Sequence, residues 1–95
     1  MFVVNVTVTP SELAEKWHEQ HVQFLNAQYE NGTFLIFGRS KTYENQAVII
    51  ARAESQAALE QAFAQDPYIQ HGCMTIKIEE FNAAKIAANI SDYAV

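Results

Sequence analysis

The segment from Pro10 to Asn31 constrains the fold more than any other part of this sequence. At about 100° per residue, its apolar side chains fall on a single helical stripe: Leu13, Ala14, Trp17, Phe24 and Leu25. A helix with one apolar stripe is stable when that stripe is buried against another layer of structure. The sequence therefore predicts one long helix that packs on a sheet.

The predicted ends of this helix have recognisable signals. Thr9-Pro10-Ser11-Glu12 reads as a capping box, with Thr9 as N-cap, proline at the first helical position and Glu12 at the third. Gly32 suits the left-handed conformation that commonly follows a helix. A second helix follows Ser55 as its N-cap, and we expect Pro67 to stop it. Its predicted buried face is Ala58, Leu59, Ala62 and Phe63.

Four segments have the patterns of strands: Phe2 to Val8, Thr33 to Phe37, Ala47 to Ala53 and Cys73 to Glu80. The resulting order is β-α-β-β-α-β, which is the ferredoxin-like α+β arrangement, with two helices on one face of a four-stranded antiparallel sheet. Residues 1–81 form the predicted domain. Residues 82–95 form a C-terminal tail whose alanine content favours a helix, and we expect it to contribute to the subunit interface.

The other face of this sheet has no predicted cover. Residues 34–37 and 47–51 are apolar on both sides of their strands, and an uncovered apolar sheet face normally marks an interface. The sequence predicts a homodimer packed face to face, with a seam formed by Phe34, Ile36, Val48, Ile50 or their strand alternates. The alternative is that residues 82–95 fold back over the sheet.

Charge and cysteine content exclude several functional classes. The formal charge is −5, with six Lys and Arg against eleven Asp and Glu, so no basic patch for nucleic acid or an anionic membrane is expected. No stretch resembles a signal peptide or a membrane span, which predicts a cytoplasmic protein. Cys73 has no second cysteine to pair with and is expected to be a packed strand residue.

His21 interrupts the apolar stripe of the long helix, four residues after Trp17 and three before Phe24. A core-facing imidazole needs a hydrogen-bond partner or a cavity, because an unpaired buried polar group costs roughly 1–3 kcal/mol. Asp66 is a candidate partner, since it precedes Pro67 at the end of the second helix. A carboxylate on one imidazole nitrogen leaves the other free as a base. The alternative is a buried His–Asp contact that only holds the two helices together.

Other residues are candidates for ligand binding. Arg39 and Ser40 follow the second strand, where Arg39 is suited to a carboxylate or phenolate, and Tyr68 to stacking on a ligand. Each has a structural alternative, as a solvated loop residue or as an aromatic wedged into the turn. His18, three residues before His21, adds a weak possibility of a metal site with Asp66, and His71 is expected in a solvated loop. We predict no metal and no cofactor.

With these residues placed on the fold, the chain resembles the YciI-like (YCII-related) family of the dimeric α+β barrel superfamily. The resemblance covers roughly residues 1–81 and rests on the order of His21, Gly32, Gly38, Asp66-Pro67-Tyr68, Gly72 and Phe81. It implies a ferredoxin-like dimer with a His–Asp pair in a cleft that performs acid–base chemistry. One enzyme type in that family eliminates chloride from a substituted hydroquinone. The family commonly has proline after the position of Gly38, where this chain has Arg39-Ser40.

The functional hypothesis is an enzyme that removes a proton from a small cyclic or aromatic molecule, leading to elimination or isomerisation. His21 acts as base and Asp66 orients it. The first alternative is a non-catalytic dimer that binds or senses a small molecule in the same cleft. The second alternative is a cofactor-independent oxygenase-like member of the superfamily.

Overall fold

The predicted ferredoxin-like order is confirmed, with one short helix added before the last strand. The computed structural model describes residues 1–95. Its elements are β1 (Phe2–Val8), α1 (Glu12–Glu30), β2 (Phe34–Arg39), β3 (Gln46–Ala51), α2 (Gln56–Phe63), α3 (Pro67–Gln70), β4 (Met74–Glu80) and a 3₁₀ turn (Ile90–Tyr93).

The four strands form one antiparallel sheet in the order β2-β3-β1-β4. Val4 of the central strand lies opposite Ile49 on one side and Ile78 on the other. Alternate residues of β1 point toward the helices, so Val4 and Val6 are buried while Asn5 and Thr7 are exposed. The core lies between this face and the helices, and its largest fully buried apolar side chains are Phe2, Phe34, Phe63, Leu59 and Val4.

One residue of the predicted dimer seam belongs to the core instead. Phe34 is 1% exposed and contacts the rings of Phe24 and Phe63 under the helices. The pairing of β2 with β3 shifts between Phe34 and Ile36, which inserts Leu35 as an extra residue. Because strand side chains alternate, this bulge places Phe34 on the covered face and Ile36 on the open face. Ile36 and Val48 remain exposed there, and Ile50 is partly buried.

The predicted start of the long helix is wrong by two residues. Ser11 is the N-cap, and its hydroxyl accepts a hydrogen bond from the Ala14 backbone N–H at 3.0 Å. Thr9 instead prolongs the pairing of β1 with β4, since its backbone N–H donates to the Cys73 carbonyl at 2.8 Å. The glycine exit is as expected, with Gly32 at φ +87°. On the stripe, Leu13 is 40% exposed rather than buried.

Pro67 begins a helix rather than stopping one. Helix α2 is capped by Ser55 as predicted but ends at Phe63, four residues before the proline. Asp66 is the N-cap of α3, and Pro67 occupies the first turn, where its missing N–H and fixed φ are tolerated. This correction matters for function because it explains why the Asp66 side chain turns inward.

The C-terminal tail is helical only in the 3₁₀ turn at Ile90–Tyr93. All residues from 82 to 95 are exposed, so the tail does not cover the apolar face of the sheet. Cys73 is buried and unpaired beside β4. None of the helices combines the length and apolar character that a membrane crossing requires.

Candidate active site

Asp66 is the most deeply buried polar side chain in the protein, with no exposed surface. As the N-cap of α3, its Oδ1 accepts a hydrogen bond from the Tyr68 backbone N–H at 3.0 Å. Both carboxylate oxygens also lie 2.9 Å from the imidazole Nδ1 of His21 on α1. A buried carboxylate is tolerated when donors surround it, and here one backbone and one side-chain donor do so.

This contact fixes the tautomer of His21. A carboxylate can only accept, so Nδ1 carries the proton and shares it between the two oxygens. The neutral ring therefore presents an unprotonated Nε2. Nε2 of His21 has no hydrogen-bond partner in the protein. Trp17 Nε1 is the one side-chain nitrogen or oxygen that is both fully buried and without a partner, so Nε2 of His21 is not fully buried and retains access to solvent. His21 lies 9% exposed at the wall of a cleft.

Tyr68 holds the His21 ring from its flat side. The two rings are parallel within 5° and their centroids are 3.9 Å apart. The Tyr68 hydroxyl donates to the Ala14 carbonyl on α1 at 2.9 Å. Burial raises the pKa of the Tyr68 phenol, and the Cys73 thiol and Asp66 carboxylate raise it further, while Arg39 partly opposes them. Tyr68 therefore stays protonated and remains a donor to Ala14.

His18 joins the same cluster one helical turn before His21. Its Nδ1 lies 3.3 Å from the Tyr68 hydroxyl oxygen. Residues three apart on a helix share a face, and both imidazoles line the same cleft. The Asp-Pro-Tyr turn thus contacts both histidines. The Asp66 carboxylate and the Tyr68 ring contact His21, and the Tyr68 hydroxyl contacts His18.

The cleft has a volume of about 500 Å³ and opens between α1 and the ends of β1, β2 and β3. Its walls are mainly apolar: Val6, Val8, Leu25, Phe37, Ile49 and Met74. A concave apolar site with a few convergent polar groups is the usual form of a small-molecule site. The cleft therefore suits a small ring with polar substituents.

Arg39 and Ser40 form part of the rim of the cleft. The register of β2 places Arg39 on the helix side of the sheet beside Ala47, and its guanidinium forms no ion pair. Ser40 has a structural task, because its hydroxyl oxygen accepts from the backbone N–H groups of Thr42 and Tyr43 at 3.1 and 2.9 Å. Its own O–H remains available as a donor.

The remaining histidine lies outside the cleft. His71 stacks on Trp17, with ring centroids 4.4 Å apart and planes inclined by 12°. The chain has no group of three or more His, Cys, Asp or Glu side chains placed to bind a metal ion. Asp66 directs its oxygens at His21 and α3 rather than at a shared site with His18.

Sequence reasoning found the His21–Asp66 contact but missed what connects it to His18. The Tyr68 ring was expected at a ligand or wedged in its turn, whereas it stacks on His21 and bonds Ala14. The only available signals were the three-residue spacing of the histidines and the position of Tyr68 two residues after Asp66. Neither signal shows that α1 and α3 face each other.

Comparison with known protein families identifies the family of this chain. Residues 1–82 match the family described as the YCII-related domain. The chain belongs to the YCII-related domain family. The match spans all four strands and the three α-helices, together with the His21–Asp66 pair. No curated protein matches the sequence significantly.

Several solved structures share the fold of this YCII-related protein. Muconolactone isomerase superposes with a TM-score of 0.73 at 18% identity, covering 92% of this chain and 95% of that one. The 5-chloro-2-hydroxyhydroquinone dehydrochlorinase from Burkholderia phenoliruptrix AC1100, solved with 2,5-dihydroxybenzoquinone, has a TM-score of 0.66 at 13% identity, covering 86% and 94%. An antibiotic biosynthesis monooxygenase gives 0.53 at 12%, covering 87% and 100%. At identities this low, the superpositions show a shared fold alone.

Proposed function

We propose that this YCII-related protein is an enzyme that uses His21 as a general base on a small cyclic molecule, with Asp66 holding the base in place. The observation that carries the proposal is the symmetric contact of His21 Nδ1 with both oxygens of the fully buried Asp66, at 2.9 Å each. It leaves Nε2 as a solvent-accessible base at the wall of an apolar cleft.

The chemistry is proton transfer that ends in elimination or isomerisation. Nε2 takes a proton from an acidic C–H bond of the substrate, and the electron pair of that bond moves into the ring. In an elimination, this pair forms a new double bond while the leaving group departs with its own bonding pair. In an isomerisation, the protonated Nε2 returns the proton to another carbon. Asp66 stabilises the imidazolium that exists between these steps.

We assign substrate recognition to the rim of the cleft. Arg39 has no protein anion as a partner and lies where a carboxylate or phenolate of the substrate can reach it. Ser40 supplies a hydroxyl donor beside Arg39, and the Tyr68 ring stacks on the imidazole of His21. The mainly apolar wall receives the ring itself.

We further propose that two copies of the chain pack through the open sheet face. Ile36 and Val48 are exposed there, at 49% and 41%. Their neighbours Val3 and Ile50 extend the apolar area, while Lys77 and Glu79 of β4 give its far edge a polar border. A stable dimer of this kind buries at least about 1,200 Å² in total.

The dimer is tested by sedimentation at micromolar concentration. Val48→Glu should give monomers, because it places a charge in the apolar face. Leu13→Glu is the matched control, since Leu13 is 40% exposed but lies on α1. A wild-type protein that sediments as a monomer would refute the dimer.

The base is tested with a general probe for proton abstraction, 5-nitrobenzisoxazole. A base removes its ring C–H proton, the N–O bond breaks, and a coloured phenolate is released. Wild-type protein should accelerate this elimination. His21→Gln should abolish the acceleration, whereas His71→Gln should preserve it because His71 lies outside the cleft.

Two results would contradict the proposed base. One is a wild-type rate no higher than that of free imidazole at the same concentration. The other is an equal rate in wild-type protein and His21→Gln. Either result would favour a second function, a non-catalytic small-molecule-binding dimer. Asp66 also caps α3, so its carboxylate has a structural task in the absence of any reaction.

A further inference from the structure

His18 is the second imidazole of the cleft, and its one hydrogen bond determines which ring nitrogen is left as an acceptor. It lies on the same face of α1 as His21 and lines the same cleft. The mechanism proposed above does not use it. Its side chain forms one hydrogen bond within the protein, between Nδ1 and the Tyr68 hydroxyl.

The proton count at the Tyr68 hydroxyl settles the direction of this contact. A phenol has one proton to donate. The Ala14 carbonyl lies 2.9 Å from the hydroxyl oxygen and can only accept, so that proton lies between Tyr68 and Ala14. If Tyr68 instead donated to His18, two oxygens without a proton between them would face each other at 2.9 Å. His18 Nδ1 must therefore be the donor to Tyr68.

This order forms a directional chain, from His18 Nδ1–H to the Tyr68 oxygen and from the Tyr68 O–H to the Ala14 carbonyl. The neutral His18 ring then has an unprotonated Nε2, which is an acceptor. The raised pKa of Tyr68 keeps the chain intact at alkaline pH. Both histidines of the cleft thus carry the proton on Nδ1, one held by Asp66 and the other by Tyr68.

We propose that His18 is a specificity-determining residue that accepts a hydrogen bond from a hydroxyl group of the substrate. This inference deepens the proposed function and rests on it for the location of the ligand. His21 takes a proton from carbon, Arg39 meets an anionic substituent, and His18 requires a donor on the same ring. The substrate class is therefore a small ring that carries a hydroxyl or enol group in addition to an anionic group.

The first test is ligand-free and uses ¹⁵N NMR of the imidazoles in the full chain, at a pH where they are neutral. His18 should carry its proton on Nδ1, although a free imidazole of histidine in water prefers Nε2–H. Tyr68→Phe keeps the ring but removes the hydroxyl, so His18 should return to the Nε2–H form. His71 is the internal reference, because neither of its ring nitrogens has a hydrogen-bond partner. A wild-type His18 in the Nε2–H form would overturn the inference, whatever the behaviour of the variant.

The second test measures hydroxyl recognition with pairs of aromatic acids, the 3- and 4-hydroxybenzoates and their methoxy counterparts. Wild-type protein should bind one hydroxy isomer about tenfold more tightly than its methoxy partner, the effect of one hydrogen bond of about 1.4 kcal/mol. His18→Leu should remove this preference, and His18→Gln, which retains an acceptor oxygen, should restore part of it.

The two proposals fail in different ways. His21→Gln should lose the elimination of 5-nitrobenzisoxazole but keep the preference for the hydroxy acid. A preference that survives His18→Leu would overturn the role of His18 and leave the base untouched. Equal binding of hydroxy and methoxy acids, or binding of neither, by a protein whose His18 has the Nδ1–H form would also refute hydroxyl recognition.

Discussion

The two sides of the cleft are built in opposite ways. On the side formed by α1 and α3, Asp66 has no exposed surface and receives hydrogen bonds from both His21 and the Tyr68 backbone. On the side formed by the end of β2, Arg39 is exposed and has no ion pair. The side with Asp66 and His21 is held in place by hydrogen bonds, whereas the side with Arg39 leaves its guanidinium without an ion pair.

This difference separates two tasks. A base must be held in one tautomer and one orientation before the substrate arrives, because reorganisation during the reaction would cost rate. A recognition group can remain mobile and take up its final position on the ligand. The buried side should therefore determine stability and reactivity together, while the exposed side should affect binding alone.

Removing the carboxylate should have the largest effect on stability. Asp66→Ala leaves the His21 Nδ1–H and the Tyr68 N–H without their acceptor, and deleting one partner of a buried pair typically costs about 3–5 kcal/mol. Urea denaturation measures the free energy of unfolding. Asp92→Ala, the same change in the exposed tail, should alter it by less than about 0.5 kcal/mol. Similar losses in both variants would show that Asp66 does not hold this side together.

Replacing the imidazole should cost less than replacing the carboxylate. His21→Leu leaves the Tyr68 N–H as the donor that remains to the Asp66 side chain, so we expect a loss of about 1–3 kcal/mol. His71→Leu removes a histidine outside the cleft and serves as the control. The double variant His21→Leu/Asp66→Leu should lose less than the sum of the single replacements at those positions, since the two side chains interact directly. Strict additivity would argue against an interacting pair.

Arg39→Gln should leave the unfolding midpoint unchanged and weaken the binding of hydroxybenzoate several-fold. The guanidinium forms no ion pair, but it is the cation on the rim. Lys41→Gln removes one positive charge two residues later, in the loop after β2, at a side chain that does not line the cleft. Calorimetric titration of the three proteins compares them. Equal weakening in both variants would mean that net charge, not a contact with Arg39, governs binding.

The smallest effect should appear at alkaline pH. The pKa of Tyr68 is raised in the folded protein, so below pH 10.0 both the folded and unfolded states hold the phenol proton. Above that pH the unfolded chain releases the proton first, and stability falls until the folded pKa is passed. Wild-type protein should lose stability relative to Tyr68→Phe as the pH rises above 10.0, and Tyr93→Phe, altered at an exposed phenol, should follow wild type. A parallel decline in all three would exclude this effect of burial.

Local patterns predicted the scaffold well, because the strands alternate with period two and α1 has a clear apolar stripe. The errors arose where a tertiary contact overrides a local signal. Thr9 resembles an N-cap, but it prolongs the pairing of β1 with β4, and Ser11 caps the helix. Phe34 resembles a seam residue until the bulge at Leu35 turns it inward. The candidate base was visible as a polar residue on an apolar stripe, whereas the chain from His18 through Tyr68 to Ala14 depends on contacts 50 and 54 residues apart.

A cycle of elimination rates with 5-nitrobenzisoxazole tests the central claim that His21 and Asp66 act as one unit. The four proteins are wild type, His21→Gln, Asp66→Asn and the double variant. In Asp66→Asn, we expect the amide oxygen to keep the hydrogen bond from the Tyr68 N–H, so that the NH₂ group faces Nδ1 of His21. Because the NH₂ group is a donor, Nδ1 must then accept, and the imidazole proton moves to Nε2. His21 thereby loses the free nitrogen that acts as the base. Groups that act as a unit are not additive in their effects on rate. We predict that both single variants and the double variant are equally slow. An Asp66→Asn variant as fast as wild type, or losses that multiply in the double variant, would contradict the claim.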